Sequence, residues 1–165
     1  MFEKFGDISR KIEAGMQVWP GDPEVRIAPF ASISSEGYSL HEITLGTHSG
    51  THVDFPGHIF EGSCHMPSFE AMIGACLVAS TEEVVKLAAN SDSHIERLIV
   101  KGVTPDIDCI RALVGKGLKL IGIEAQSIDD GNLLDAHQVL LEAGVVIIEG
   151  LALQNASEGP AFLIA

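Results

Sequence analysis

Three of the chain's seven histidines fall within eleven residues, in the segment "HSGTHVDFPGH" at 48–58, together with an aspartate. Imidazole nitrogens and carboxylate oxygens are the donors that divalent cations select, so His48, His52 and Asp54 read as a two-nitrogen, one-oxygen set suited to Zn²⁺, Fe²⁺ or Mn²⁺. Three protein ligands would leave a position open for water, as catalytic zinc requires. In an extended backbone His48 and His58 would lie about 33 Å apart, too far to share an ion. The chain must therefore bend, and Gly46, Gly50, Pro56 and Gly57 are the residues that permit it. A helical alternative also exists, since His48 and His52 stand four residues apart. A polar surface loop is the plain reading against which the metal site is set.

A second source of donors lies downstream. In "DAHQVLLEAG" Asp135 is a candidate N-cap with Gln138 three residues on. His137 then falls in the first helical turn, where the positive end of the helix favours neutral, metal-binding imidazole. Glu149 closes the apolar run "VVIIE", which expects it at the carboxyl end of a buried strand, where α/β sheets place their sites. Either residue alone also reads as an exposed helix histidine or a strand-end glutamate facing water. Taken with the first cluster, they can complete a two-metal site. Cys64-His65 is a weak pair, read as a loop feature.

The elements that must hold these groups show in the hydropathy pattern. Strands are expected at 39–47, 75–80, 97–103, 118–124 and 145–151, and helices at 81–90, 106–117 and 135–144. Strands alternating with helices imply an α/β fold with a largely parallel inner sheet. "EVRIAPFASI" and "SLHEITLGT" read as a strand pair with no helix between them. No repeat or linker divides the chain, so one domain is expected over 1–165. The last residues, "GPAFLIA", form an apolar, strand-like run without a polar tail, and the expectation is that the domain is truncated there.

Composition narrows the function further. A net charge of −13 argues against nucleic acid as a partner and fits a protein that handles small molecules. Mean hydropathy of +0.27 is that of a packed domain. No apolar run approaches the roughly 20 residues of a membrane span, and the first residues lack the apolar core of a secretory signal. Cys64, Cys76 and Cys109 are scattered and odd in number, which suits reduced thiols in a cytoplasm.

The segment "HSGTHVDFPGH" closely resembles the H-x-G-T-H-x-D-x-P-x-H signature of the cyclase family, which includes bacterial kynurenine formamidases and isatin hydrolases. "VWPGDP", "GIEAQSIDD" and "AHQVLLEAGVVIIEGLAL" extend the resemblance over most of the chain in the expected order. The resemblance implies a swivelling β/β/α domain, assembled as a homo-oligomer (dimer or tetramer), with two Zn²⁺ per chain or Mn²⁺ in their place. By position, it assigns His48, His52 and Asp54 to one ion, with Asp54 bridging to a second held by His137 and Glu149. His58 would be the proton donor and acceptor, and Trp19 would line the substrate pocket, although a lone tryptophan also serves as a core or interface residue.

The implied activity is hydrolysis of N-formylkynurenine to kynurenine and formate. An isatin-like lactam is the alternative substrate, and a non-catalytic metal-binding protein is the alternative of another class. The chain departs from the formamidase pattern at Glu124, where an aspartate is usual before the serine–aspartate segment, here Ser127 and Asp129. It also has a short connection before Asp106, where those enzymes carry a longer loop. The resemblance further implies a strand and a proline-containing tail beyond Ala165.

Overall fold

The computed structural model describes residues 6–63, 68–131 and 133–165. Four of the apolar runs become neighbouring strands, β4 (Ile73–Ser80), β5 (Arg97–Lys101), β6 (Leu120–Ile123) and β7 (Val146–Glu149), parallel at each of their three junctions. Between them lie α3 (Thr81–Ala89), α4 (Ile107–Val114) and α5 (Asp135–Glu142). The expected helix starts have local causes. Ser80 Oγ accepts the Glu83 N–H at the head of α3, and Asp106 Oδ1 accepts the Cys109 N–H at 2.8 Å at the head of α4.

Two short strands extend this parallel core in the opposite sense. β3 (His52–Asp54) pairs antiparallel with β7, and β8 (Gly159–Ile164) pairs antiparallel with β4. The six-stranded order is β3-β7-β6-β5-β4-β8. The fold is therefore mixed α/β with a mostly parallel inner sheet, and the apolar "GPAFLIA" run is one of its strands.

Period-two alternation divides the strands between two apolar clusters. Leu98, Val100, Ile121, Ile123 and Ile147 face the helical layer, where Val84, Ile110, Leu113 and Leu140 meet them. Ile99, Leu120, Val146 and Ile148 face the other way, against Leu151, Leu153, Leu163 and Ala71. The last of these belongs to the four-residue helix α2 (Phe69–Met72).

The first third of the chain differs in two respects from its expected form. β1 (Arg26–Ala31) and β2 (Leu40–Thr44) do pair antiparallel, as a separate two-stranded sheet. Between them, however, stands a four-residue helix, α1 (Ile33–Glu36), closed by Gly37 at φ 77°. The strand expected over 39–47 ends at Thr44, and the histidine segment supplies its own strand, β3, to the larger sheet. Phe30, Ile33, Tyr38, Leu40 and Ile43 of the hairpin are exposed. Among the described residues no helix is long and apolar enough to cross a membrane. Cys76 and Cys109 are free thiols, and Cys64 and His65 lie outside the described residues.

Candidate metal centre

The pairing of β3 with β7 sets His52 opposite Glu149 and Asp54 opposite Ile147. Residues two apart on a strand share a face, so His52, Asp54 and Glu149 all point toward the helical layer at one end of the sheet. Gly150, directly after β7, has φ 69°, and a Cβ there would stand 2.3 Å from the Gly50 carbonyl oxygen. Only glycine admits that approach. Thr51 Oγ1 donates to the Gly150 carbonyl at 2.6 Å and ties the same two turns together.

His48 reaches the site from the preceding turn, in which the Ser49 N–H donates to the Gly46 carbonyl at 3.1 Å. The two histidines do not share a helical face: residues 47–51 form turns, and His52 begins a strand. Gly50, at φ 71°, presents its carbonyl to His52 Nδ1 at 3.1 Å. That contact places the proton on Nδ1 and leaves the Nε2 lone pair for the site.

Two donor sets result. In the first, His48 Nδ1 stands 2.9 Å from His52 Nε2 and 3.1 Å from Asp54 Oδ1, while His52 Nε2 lies 3.5 Å from Asp54 Oδ1 and 3.5 Å from Glu149 Oε2. Donors held tetrahedrally at about 2.0–2.1 Å from one ion stand about 3.3–3.4 Å apart, and these separations bracket that value. In the second set, His137 Nε2 lies 3.1 Å from Asp54 Oδ2 and 3.4 Å from Glu149 Oε1. His58 joins Asp54 and His137 there, with all three donor atoms within 4.8 Å of one another. Each oxygen of Asp54 and of Glu149 thus faces a different set.

The arrangement fits a bound cation. Asp54 is 1% exposed, and its Oδ1 is buried without a hydrogen-bond partner despite its two imidazole neighbours. A buried carboxylate oxygen left so is costly. It stands against ring nitrogens whose lone pairs would repel one another unless something positive lay among them. In the protein without metal, protons take that part. Burial works to lower the basicity of His137, but Asp54, Glu149 and Asp129 outweigh it and hold the imidazole up to about 10. His52 is raised too: burial opposes the charge, and Glu149, the Gly50 carbonyl and Asp54 prevail. Burial likewise opposes ionisation of Asp54, yet His137, His48 and His52 keep its carboxyl well below the usual carboxylate range.

His58 moves the other way. Its ring is exposed on the outer side, but lost hydration on the inner side, with His48 and His137 nearby, lowers it below the ordinary value against the pull of Asp54 and Glu149. Its ring centroid is 4.2 Å from that of His48 and 5.2 Å from that of His137. A histidine that is neutral at neutral pH and stands beside a cation site can accept a proton.

The helix carrying His137 starts differently from its sequence pattern. Asp135 is not the N-cap; it is the first helical residue, and the cap position is held by Leu134, which makes no side-chain cap bond. The free N–H groups are taken by Asp129 instead, whose Oδ1 accepts the Ala136 N–H at 2.8 Å and whose Oδ2 accepts the His137 N–H at 3.0 Å. Asp129 Oδ2 also accepts His137 Nδ1–H at 2.7 Å. Sequence reasoning noted Asp129 only as part of a motif and gave it no role. The signal available was an aspartate six residues before a helix whose own cap is apolar.

Trp19, half-buried, lines a cavity of about 720 Å³ together with Val103, Ile107, Glu124, Gln126 and Asp129. Asp129 is therefore common to that cavity's wall and to the surroundings of His137. Of the residues singled out in the sequence, His48, His52, Asp54, His58, His137 and Glu149 converge on one end of the sheet, and Trp19 stands in the adjoining cavity.

Known proteins resemble the chain in sequence and in fold. A family model described as putative cyclase matches residues 6–107. A kynurenine formamidase of Salinibacter ruber is 34% identical, with 96% of this chain aligned over 87% of that protein. Another, from Erythrobacter litoralis, is 30% identical over 96% of this chain and 84% of its own length. Among solved structures, a potential metal-dependent hydrolase with cyclase activity superposes with a TM-score of 0.79 at 25% identity, covering 97% of this chain and 87% of that one. Isatin hydrolase A of Labrenzia aggregata, at 18% identity and a TM-score of 0.79, covers 97% of this chain and 85% of its own and shares the fold.

Proposed function

The chain belongs to the putative cyclase family, and from that premise we propose that it is a metal-dependent amide hydrolase that converts N-formylkynurenine to kynurenine and formate. The observation that carries the reading is the junction at Asp54, a buried carboxylate whose two oxygens face separate donor sets, one of them orphaned. His48, His52 and Asp54 would hold one divalent ion, and His137 and Glu149 a second that shares Asp54. Glu149 Oε2 also lies within reach of the first set. Zinc fits the nitrogen-rich donors, with manganese the alternative. Bound there, such ions supply Lewis acidity, lowering the pKa of water toward about 7 and polarising a carbonyl.

The chain's own residues do the rest. His58, kept neutral by its surroundings, accepts at a ring nitrogen the proton that water loses as its oxygen bonds to the formyl carbon. It returns that proton to the aniline nitrogen as the C–N bond breaks, so that a neutral arylamine and formic acid leave, the acid releasing its remaining proton to solvent as formate. Trp19 offers an aromatic wall for the aryl group. The reading extends to one domain, to the cytoplasm, and to a homo-oligomer whose assembly would cover the exposed apolar residues of the β1–β2 hairpin. An isolated hairpin is marginal in water, which supports such a cover.

A substrate panel on metal-restored protein tests this. The expected result is equimolar formate and arylamine from N-formylkynurenine. Ring opening of isatin with no formamide turnover would reassign the substrate, and no turnover of either by fully metallated protein would leave a metal-binding protein.

A further inference from the structure

The turn at 127–129 touches two groups of the second donor set, His137 and Glu149, from behind. The Ile128 N–H donates to Glu149 Oε1 at 2.6 Å, and Asp129 takes His137 Nδ1–H together with two N–H groups at the head of α5. Ser127 Oγ in turn accepts the Asp129 N–H at 3.3 Å and fixes the turn. The same residues line the Trp19 cavity. We propose that Asp129 is a positioning residue for the second ion: its carboxylate holds the Nδ1–H tautomer of His137, so that the Nε2 lone pair is aimed between Asp54 and Glu149.

The reasoning is one of donors and acceptors. An ionised carboxylate only accepts, so the ring nitrogen facing it must carry the proton. The opposite nitrogen then has a lone pair free to ligate, and partners of this kind fix both tautomer and ring orientation. His137 is 2% exposed, so its ring has little access to solvent and depends on protein partners. An amide at 129 can accept one helix N–H, but the NH₂ group it turns toward the ring favours the reverse tautomer, which carries the proton on Nε2 and cannot bind metal there. The first ion should not feel the change, because His52 is oriented by the Gly50 carbonyl and not by Asp129.

Asp129→Asn in the full chain tests this by calorimetric zinc titration of metal-free protein, with ¹⁵N-histidine NMR of the zinc-loaded form. The second zinc should bind about 10–100-fold more weakly, the first within threefold of wild type, and at a free zinc that fills the second site of wild type but not of the variant the His137 signals should lose the Nδ1–H, metal-ligated pattern. Because Asp129 also caps α5, a second variant separates the two roles. Asp129→Asn/Leu134→Ser restores a cap side chain at the helix head; it should raise the melting temperature without restoring the second zinc.

Recovery of zinc affinity in the double variant would make Asp129 a cap and nothing more, and overturn the proposal. So would unchanged binding of both ions, or equal loss of both. The inference rests on the two-ion reading of the site. If wild type itself binds a single zinc, that reading fails along with the proposal, whereas two zincs bound with the same affinities in wild type and in Asp129→Asn refute the Asp129 assignment alone.

Discussion

Asp54→Asn is the substitution that separates a shared centre from two neighbouring ones. Asparagine matches aspartate in shape, so the 1% exposed position stays filled and β3 keeps its pairing with β7. What goes is one negative charge whose oxygens stand 3.1 Å from His48 Nδ1 on one side and 3.1 Å from His137 Nε2 on the other. Zinc sites of four protein donors bind with about 10–16 kcal/mol, which is about 2.5–4 kcal/mol per donor. At about 1.4 kcal/mol per decade, loss of one donor weakens an ion by roughly 10²- to 10³-fold. Because Asp54 serves both sets, both ions should weaken by that order. His137→Ala, by contrast, should release the second and spare the first. The assay is elemental analysis after dialysis at buffered free zinc, with circular dichroism to establish folding. Asp54→Asn protein that keeps either ion within threefold of wild-type affinity would refute the shared-carboxylate argument.

Other outcomes follow from the same geometry. His58→Ala should keep its metal while kcat falls about 10²- to 10⁴-fold; loss of metal with activity would make His58 a ligand of the Asp54–His137 set. Trp19→Ala should raise KM by roughly threefold to tenfold, the worth of one aromatic contact at about 0.5–1.5 kcal/mol, with metal content unchanged; an unaltered KM would return Trp19 to a packing role. In metal-free protein His137, raised from 6.5 to about 10 chiefly by Asp54 and Glu149 against the effect of burial, binds a proton more tightly when folded. That contribution is fully present below pH 6.5 and lost as pH rises through about 10. Melting temperature without metal should therefore decline over that interval, while the increment from added zinc grows, since ligation requires the deprotonated ring. A metal-free melting temperature that is flat or rising between pH 6.5 and 10 would contradict the assignment.

The spacing of donors and breakers made the histidine segment legible, because few other uses exist for His48, His52, Asp54 and His58 among glycines and a proline. The parallel core was legible for a related reason: "RLIVK" and "VVIIE" are apolar on both faces, as strands covered on both sides must be. Convergence was harder to read. Nothing local shows that Glu149 lies opposite His52, since that register is set across almost a hundred residues by the Gly50–Gly150 approach. Asp129 escaped notice for the same reason, its carboxylate reaching seven and eight residues ahead to cap a helix that has its own plausible cap in Asp135. The helix α1 was missed because four residues are too few to show a period.

Metal dependence of formamide hydrolysis is the claim on which the account stands. Chelator-treated protein, with zinc restored in steps, should release no formate from N-formylkynurenine at the start, and formate release should rise as bound zinc rises toward two per chain. Metal-free protein that hydrolyses the formamide at the rate of the restored enzyme would contradict it.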